Sequence, residues 1–169
     1  LECLAVWENS PYINCNTPLY YDGHVYVTSG YNHVGARFSI SDNFEITPNW
    51  TDHTLDVHHG GFVLVDGYIY GANWIDNRAG NWCCIEWGTG KTMYEQKWFN
   101  KGSIIYNDGM LYCYEEKTGN IGLVKATPEK FDLISSFKVQ LGSGPHWSHL
   151  VIKGGILYVR HGKAIMAYD

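Results

Sequence analysis

The sequence lacks the features that mark several large classes of protein. No apolar run approaches the roughly 18 residues that a helix needs to span a bilayer. The 12 basic residues are scattered singly and the formal net charge is −5, whereas a nucleic-acid-binding surface needs clustered Lys and Arg. We therefore expect neither a membrane span nor a nucleic-acid partner.

Cysteine is also sparse, and its spacing predicts no metal centre. The five cysteines are odd in number and include no Cys-x-x-Cys pair. Cys83 and Cys84 are adjacent, so their Cα atoms lie about 3.8 Å apart, which is below the range of about 4.4–6.8 Å usual for disulfides. We expect these two residues to be free thiols on opposite faces of one strand.

What the sequence does contain is glycine, aromatic residues and a repeat. Nineteen glycines and 15% aromatic residues fit an all-β protein with many tight turns. One pattern of two apolar runs around an Asp-Gly or Gly-Gly pair occurs four times, as TPLYYDGHVYV (17–27), GFVLVDGYIYG (61–71), SIIYNDGMLYC (103–113) and HLVIKGGILYV (149–159). The aligned glycines are 44, 42 and 46 residues apart, a period typical of propeller blades.

Each copy of the pattern predicts a β-hairpin. The Asp-Gly and Gly-Gly pairs favour the positive φ angles of a two-residue type I′ turn, and Val, Ile and Tyr favour strands on both sides. A third strand is predicted after each hairpin, at 38–41, 82–87, 121–126 and 164–169. A more polar fourth strand follows three of these, at 45–50, 92–98 and 133–139. A helix over 128–137 is the local alternative, because Pro, Glu and Lys open that segment.

The repeats predict an all-β propeller of four antiparallel four-stranded blades, half of a larger ring. The blades span approximately 10–52, 53–99, 100–141 and 142–169. The fourth blade lacks its outer strand, and residues 1–9, with Trp7 at the position of Trp50, Trp98 and Phe137, are predicted to form the outer strand of a preceding blade. We expect an open half-ring that can self-associate through its blade edges, without a ladder between residues 1–8 and 164–168 of one chain.

The hairpin pattern and the segment GNWCCIEWGTGKTMYEQKW (80–98) resemble the repeat of the quinoprotein alcohol dehydrogenase-like, or PQQ-like repeat, β-propellers, which are WD40/YVTN-like in architecture. Residues 66–98 match the pattern DGxVYV…GxLxALDxxTGKxxW best, and the first and third repeats lack its TGK. The segment GPHWSHLVIKGGILYVRHGKAIMAYD (144–169) resembles the closing part of bacterial members. Since those propellers commonly have eight blades, the resemblance implies a C-terminal half.

The resemblance implies a fold more firmly than an activity. Some members of the family oxidise alcohols with pyrroloquinoline quinone and calcium, and others bind proteins without a cofactor. We favour a non-catalytic scaffold that binds a ligand or a protein, carries no cofactor, and is periplasmic, secreted or on the cell surface. The alternatives are a fragment of a pyrroloquinoline-quinone-dependent alcohol dehydrogenase and a glycan-binding module.

The candidate site is the face of the propeller that carries the loops before each innermost strand. Counting back eight or nine residues from each turn glycine places polar or aromatic residues there, and the loops between the second and third strands share this face. The candidate ligand-binding residues are Asn14, His58, His59, Asn73, Trp74, Asn100, Lys101, His146, Trp147, Arg160 and His161. No catalytic residue is predicted.

Three interpretations of this face remain open. The polar residues could bond the backbone of neighbouring blades, or they could line a pocket for a small molecule or glycan with Trp74 and Trp147 as stacking surfaces. A metal site is the third. His58 and His59 are predicted to point to opposite sides of an extended segment, which disfavours a shared ion.

Overall fold

The computed structural model describes residues 2–6 and 13–169, and this part of the chain folds into four antiparallel sheets in chain order. Blade 1 contains β1 (Leu19–Tyr21), β2 (His24–Val27), β3 (Gly35–Ile40) and β4 (Ile46–Asp52). Blade 2 contains β5 (Phe62–Val65), β6 (Tyr68–Ala72), β7 (Trp82–Glu86) and β8 (Thr92–Gln96). Blade 3 contains β9 (Gly102–Asn107), β10 (Met110–Glu115), β11 (Asn120–Lys125) and β12 (Asp132–Lys138). Blade 4 contains β13 (Val151–Lys153), β14 (Ile156–His161) and β15 (Ala164–Tyr168).

This architecture confirms the predicted all-β half-propeller of four blades, the last with three strands. The segment 128–137 contains β12 and not a helix, so the repeat register outweighs the local helix signal. The described residues form no helix that is long and apolar enough to cross a membrane.

The hairpin turns have the geometry that their sequence predicts. Both central residues have positive φ in every copy, for example 48° at Asp66 and 81° at Gly67, and 61° at Gly154 and 80° at Gly155. This is the signature of a type I′ turn, whose twist matches the twist of the two strands it connects. The turns therefore fix the register of each hairpin.

In blades 1 to 3, the tyrosine three residues after the turn glycine packs against the following blade. Tyr26 lies 5.4 Å from the Phe62 ring of blade 2, and both it and Tyr70 are fully buried in cores between blades. Tyr158, the equivalent residue of blade 4, is 39% exposed. No further blade covers that face among the described residues, so the repeated tyrosine marks the side of a blade that contacts the next.

A second repeated contact joins the rims of neighbouring blades. Trp50 donates its indole N–H to the carbonyl oxygen of Trp87 in blade 2 at 3.1 Å. Trp98 packs against Phe131 of blade 3, with tilted rings whose centroids lie 5.7 Å apart, and the ring centroids of Phe137 and Tyr168 of blade 4 lie 4.8 Å apart. The aromatic residue at the end of the outer strand is thus a fixed contact between blades. Trp7, predicted to be its fourth copy, lies outside the described residues.

The adjacent cysteines of β7 are free thiols on the two faces of blade 2, as predicted. Cys83 lies in the core shared with blade 1 and Cys84 in the core shared with blade 3. Burial raises the pKa of the Cys84 thiol to about 12 and raises that of Cys83 above its ordinary value. Both side chains therefore serve as small apolar groups.

The predicted outer strand at residues 1–9 is not seen in its described part. Residues 2–6 adopt no strand, and residues 1 and 7–9 lie outside the described residues. β15 pairs with β14 and with no other described strand, so residues 2–6 form no ladder with residues 164–168. A strand forms only where a neighbouring edge satisfies its backbone groups, and residues 2–6 have no such edge here.

Candidate functional site on the channel face

The segments that lead into the innermost strands meet the loops between the second and third strands, and we call this surface the channel face. Lys101, at the start of blade 3, donates from Nζ to the carbonyl oxygens of Asp76 at 2.8 Å and Ala79 at 3.3 Å in the blade 2 loop. Gly102 follows at a point where a Cβ atom would overlap the carbonyl oxygen of Tyr114. Glycine at this position therefore permits the close approach of backbones near the axis.

A buried ionic cluster lies at the centre of the channel face. Glu116 Oε1 lies 3.1 Å from Lys101 Nζ, and both side chains are more than nine-tenths buried. The other carboxylate oxygen, Oε2, lies 3.3 Å from Nε2 of the half-buried His59. Glu116, in a loop of blade 3, therefore connects His59 at the start of blade 2 with Lys101 at the start of blade 3.

The surroundings keep Glu116 ionised. Burial alone would raise the pKa of this carboxyl, but the hydrogen bond from His59 and the charge of Lys101 outweigh it and lower the pKa below its usual value. The pKa of His58 is also lowered, by burial first and then by His59 and Lys101. The negative charge of Glu116 is thus compensated inside the protein.

A continuous row of aromatic rings crosses the face above this cluster. The ring centroids of Trp74 and Tyr31 lie 5.1 Å apart, those of Tyr31 and His58 4.6 Å, and those of His58 and His59 4.8 Å. Trp147 then lies 5.3 Å from His59 and is 58% exposed. We call these five residues the aromatic row. It joins loops of blades 1, 2 and 4 and presents indole and imidazole surfaces to solvent.

A cleft of about 250 Å³ opens beside the row where the four innermost strands converge. Its lining carries amide, hydroxyl and imidazole groups and a small apolar floor, from Cys15, Asn16, Thr17, His59, Gly61, Phe62, Ile104 and His149. His149 Nε2 lies 3.2 Å from the His59 carbonyl oxygen, so blade 4 closes one side of the cleft against blade 2. The cleft offers amide, hydroxyl and imidazole hydrogen-bonding groups next to aromatic surfaces.

His146 and His161 are structural in this fold. Their rings stack with centroids 3.6 Å apart, and His146 Nδ1 bonds the Tyr114 hydroxyl at 2.6 Å. The two nitrogens of His161 lie 2.8 Å from the Leu141 carbonyl oxygen and 2.7 Å from that of Gly144. Burial and the neighbouring His161 lower the pKa of His146. The pair therefore holds the connection between blades 3 and 4 in place.

Two predicted asparagines also bond the protein itself. Asn73 donates to the Thr54 carbonyl oxygen at 3.1 Å and accepts from the Asn81 backbone N–H at 2.7 Å, and Asn100 donates to the Arg78 carbonyl oxygen of blade 2. Both side chains are buried. Their hydrogen bonds connect loops and neighbouring blades, so these two side chains offer few hydrogen-bonding groups to a ligand.

The remaining predicted residues lie at the periphery of the face. Asn14 and Cys15 are exposed, and Cys15 lines the cleft. Arg160 is exposed and donates from Nε to the Gly162 carbonyl oxygen at 3.2 Å. Of the predicted set, the structure brings His58, His59, Trp74, Lys101 and Trp147 together.

The prediction that His58 and His59 point away from each other is wrong. β5 begins only at Phe62, so the two histidines lie on an irregular segment where alternation does not hold. Their rings are neighbours in the aromatic row. Even so, no group of three or more His, Cys, Asp and Glu side chains in the described ranges is placed to hold a metal ion.

Sequence reasoning missed two residues that build this face. Asn16 donates to the Val57 and His58 carbonyl oxygens at 2.8 and 2.9 Å and accepts from the Gly61 N–H. It lies seven residues before its turn glycine, an offset at which the second and third repeats have Gly60 and Gly102. Tyr31 has a positive φ of 62° in an irregular loop, and no repeat signal pointed to it.

The described residues do not fit the quinone and calcium of the alcohol dehydrogenases. Calcium needs six to eight oxygen ligands, and no described cluster of acidic side chains meets that need. The adjacent cysteines are buried within β7, third from the axis, and not on the channel face.

Comparisons with known proteins support the fold alone. No family model matches the sequence, and no curated protein matches it. Among solved structures, a computationally designed protein named Ika8 superposes with a TM-score of 0.67 at 10% identity, over 98% of this chain and 48% of that one. A europium-containing methanol dehydrogenase superposes with a TM-score of 0.58 at 12% identity, over 74% of this chain and 24% of that one. The chain spans about half and a quarter of these proteins and shares their propeller-like fold.

Proposed function

We propose that the chain is a non-catalytic binding scaffold whose channel face binds a neutral sugar, as a free molecule or as part of a glycan. The aromatic row beside a cleft whose polar lining includes no carboxylate, ammonium or guanidinium group carries this proposal. Sugar rings present C–H faces that pack on aromatic side chains and hydroxyl groups that need hydrogen-bond partners, and a site with aromatic walls and a few polar groups meets both needs.

The internal charge balance favours a neutral ligand. Both carboxylate oxygens of Glu116 face Lys101 and His59, and the ammonium group of Lys101 also donates to two backbone carbonyls. No buried charge of this cluster is left for an ionic ligand to neutralise. An anionic or cationic ligand would lose its hydration without gaining a counter-charge there.

The size of the cleft favours a small ligand or the end of a longer one. At about 250 Å³ it is smaller than the roughly 300–1,000 Å³ of pockets for drug-sized molecules. A single sugar unit is therefore the expected occupant, with Trp147 as the accessible stacking surface.

Isothermal titration calorimetry with a panel of neutral and acidic sugars tests this proposal. We expect binding of at least one neutral sugar and a two- to twelvefold loss of affinity in Trp147→Ala, because one aromatic contact contributes about 0.5–1.5 kcal/mol. Phe44→Ala is the matched control, since Phe44 is an exposed aromatic residue in a turn of blade 1, outside the aromatic row. Binding of acidic sugars only, or equal binding by Trp147→Ala, would contradict the proposal.

The proposal includes a location outside the cytoplasm, in the periplasm, on the cell surface or secreted. The resemblance of residues 66–98 to the PQQ-like repeat supports it. Fractionation of cells that express the natural gene, followed by immunodetection, tests it, and recovery in the cytoplasmic fraction alone would argue against it.

A further inference from the structure

We propose that Asp56 is a positioning residue of the channel face, whose carboxylate holds the ring of Tyr31 against Trp74 at one end of the aromatic row. Its effect on ligand affinity rests on the proposed sugar-binding function. Its effect on the position of Tyr31 rests on the geometry of two loops and can be measured without a sugar.

Asp56 bonds both of the loops that carry these rings. It lies in the connection between β4 and β5 and is 5% exposed. Its carboxylate oxygen Oδ2 accepts the backbone N–H of Asn32 at 2.6 Å, and its carbonyl oxygen accepts the backbone N–H of Trp74 at 2.7 Å. The ring centroids of Tyr31 and Trp74 lie 5.1 Å apart. A single residue therefore links the loop of blade 1 to the loop of blade 2.

The loop that carries Tyr31 has a backbone conformation that needs support. Tyr31 and Asn32 are consecutive residues with φ angles of 62° and 61°, in the left-handed region that residues other than glycine rarely adopt. Such conformations persist only where the surrounding structure holds them. The N–H group that Asp56 accepts belongs to the peptide bond between these two residues, so the carboxylate acts directly on the left-handed segment.

The connection to blade 2 also contacts the loop on the other side of Tyr31. A Cβ atom at Gly30 would lie 2.8 Å from the Cα atom of His58, so the two backbones are closely packed there. The Tyr31 ring lies between these contacts, 4.6 Å from the His58 ring. The loop is thus held on both sides of Tyr31, and Asp56 supplies the hydrogen bond on the Asn32 side.

The carboxylate of Asp56 has few partners besides this loop. Among the described residues its second oxygen, Oδ1, has no hydrogen-bond partner and Asp56 forms no salt bridge. Burial raises the pKa of Asp56 above its ordinary value, while the backbone N–H groups of Asn32 and His33 act in the opposite direction. A buried charge is unfavourable unless hydrogen bonds compensate it, so the bonds to the loop of Tyr31 support the ionised carboxylate.

Asp52 provides a matched control four residues earlier in the chain. It is 6% exposed, and its carboxylate accepts the backbone N–H groups of Thr54 at 3.0 Å and Leu55 at 2.7 Å. It also accepts the hydroxyl of Tyr26 at 2.8 Å. None of these partners belongs to the loop of Tyr31. Asp52→Ala therefore removes a buried carboxylate without removing a bond to that loop.

The first test uses NMR spectra of the ¹⁵N-labelled chain without sugar. We expect slow hydrogen exchange at the Asn32 amide of the wild type, although Asn32 is exposed, because this N–H is bonded to Asp56. The indole signal of Trp74 should move in Asp56→Ala in the same direction as in Tyr31→Ala, since both changes remove the Tyr31 ring from it. Asp56→Asn, which keeps an acceptor oxygen, should restore the signal, and Asp52→Ala should leave it in place.

The second test is calorimetry with glucose, galactose and mannose. With the sugar that binds the wild type, Asp56→Ala and Tyr31→Ala should each lower the affinity about two- to twelvefold, the effect of one aromatic contact. Because Asp56 acts through Tyr31, the double variant should show no further loss. Asp52→Ala should bind like the wild type.

Rapid exchange at Asn32, a Trp74 signal that does not move in Asp56→Ala, or additive losses of affinity in the double variant would each overturn the proposal. The exchange rate is measured on the wild type, so it is decisive even where Asp56→Ala does not fold. A wild type that binds none of the sugars would contradict the proposed function instead, and the spectra would still decide whether Asp56 positions Tyr31.

Discussion

Replacing Lys101 by methionine tests how the channel face is stabilised. Lys101→Met keeps the length of the side chain but leaves the buried carboxylate of Glu116 with His59 alone, and it leaves the Asp76 and Ala79 carbonyl oxygens without their donor. Removing one partner of a buried ion pair costs about 3–5 kcal/mol. With a urea m-value of about 2–3 kcal/mol/M for a chain of this size, the midpoint should fall by about 1–2.5 M.

The pH dependence of this loss gives a sharper test. Because the pKa of Glu116 is lowered in the folded protein, its ionised form stabilises the wild type above the unfolded pKa, and this contribution is lost as pH falls through the lower folded pKa. In Lys101→Met, only His59 still offsets the effect of burial on Glu116, so the carboxyl binds a proton more readily. The difference in unfolding free energy between wild type and variant should therefore shrink as pH falls from 7 toward 3.

Urea denaturation followed by tryptophan fluorescence measures both quantities. Lys130→Met is the control, because Lys130 is 65% exposed in its pair with Asp132 at 2.9 Å and such surface pairs contribute about 0–1 kcal/mol. Equal, small losses in the two variants would refute the buried ion pair. A difference that does not change with pH would refute the assignment of the pKa shift to Glu116.

Three further predictions concern the blades. Tyr70→Ala should lower the free energy of unfolding by about 3–5 kcal/mol, because Tyr70 is buried. Tyr158→Ala should cost about 1 kcal/mol or less, because Tyr158 is 39% exposed. Equal thermal shifts in the two variants would refute the role of the repeated tyrosine. Gly67→Val should cost about 1–2 kcal/mol in thermal denaturation, because φ is 81° there although the surrounding space is open, and Gly67→Asn should cost less. At pH 8 a disulfide reagent should modify two thiols in the native chain and five in denaturant, since burial raises the pKa of three of them; those three are Cys83, Cys84 and Cys113. Rapid native labelling of more than two thiols would contradict this burial.

The strands and turns of each blade could be predicted from the sequence because they depend on residues that are close together along the chain. An Asp-Gly pair imposes positive φ, and apolar residues at a period of two define the two faces of a strand. The position of residues 133–139 in the repeat predicted a strand, whereas Pro128 alone would favour a helix; the strand β12 forms there. Even the opposite placement of Cys83 and Cys84 follows from alternation along β7.

The candidate site was less predictable because it depends on the angles between blades. The pair of Lys101 and Glu116 joins two segments of blade 3 and reaches His59 in blade 2. The repeat places His59 and Lys101 at the same offset from their turn glycines, but no period relates either of them to Glu116. Tyr31 enters the aromatic row from blade 1 through an irregular loop. Counting from the turn glycine located the face, but it could not distinguish His59 and Trp147, which reach solvent, from Asn100, which is buried and bonds the Arg78 carbonyl oxygen of blade 2.

The most direct test of the proposed function is a titration of the ¹⁵N-labelled protein with the neutral sugars, followed through the tryptophan indole signals. The indole signals of Trp74 and Trp147, at the two ends of the aromatic row, should shift with sugar concentration. Those of Trp82 and Trp98, which lie between blades 2 and 3, should stay in place. Shifts confined to Trp82 and Trp98, or no shift with any neutral sugar, would contradict a sugar site on the channel face.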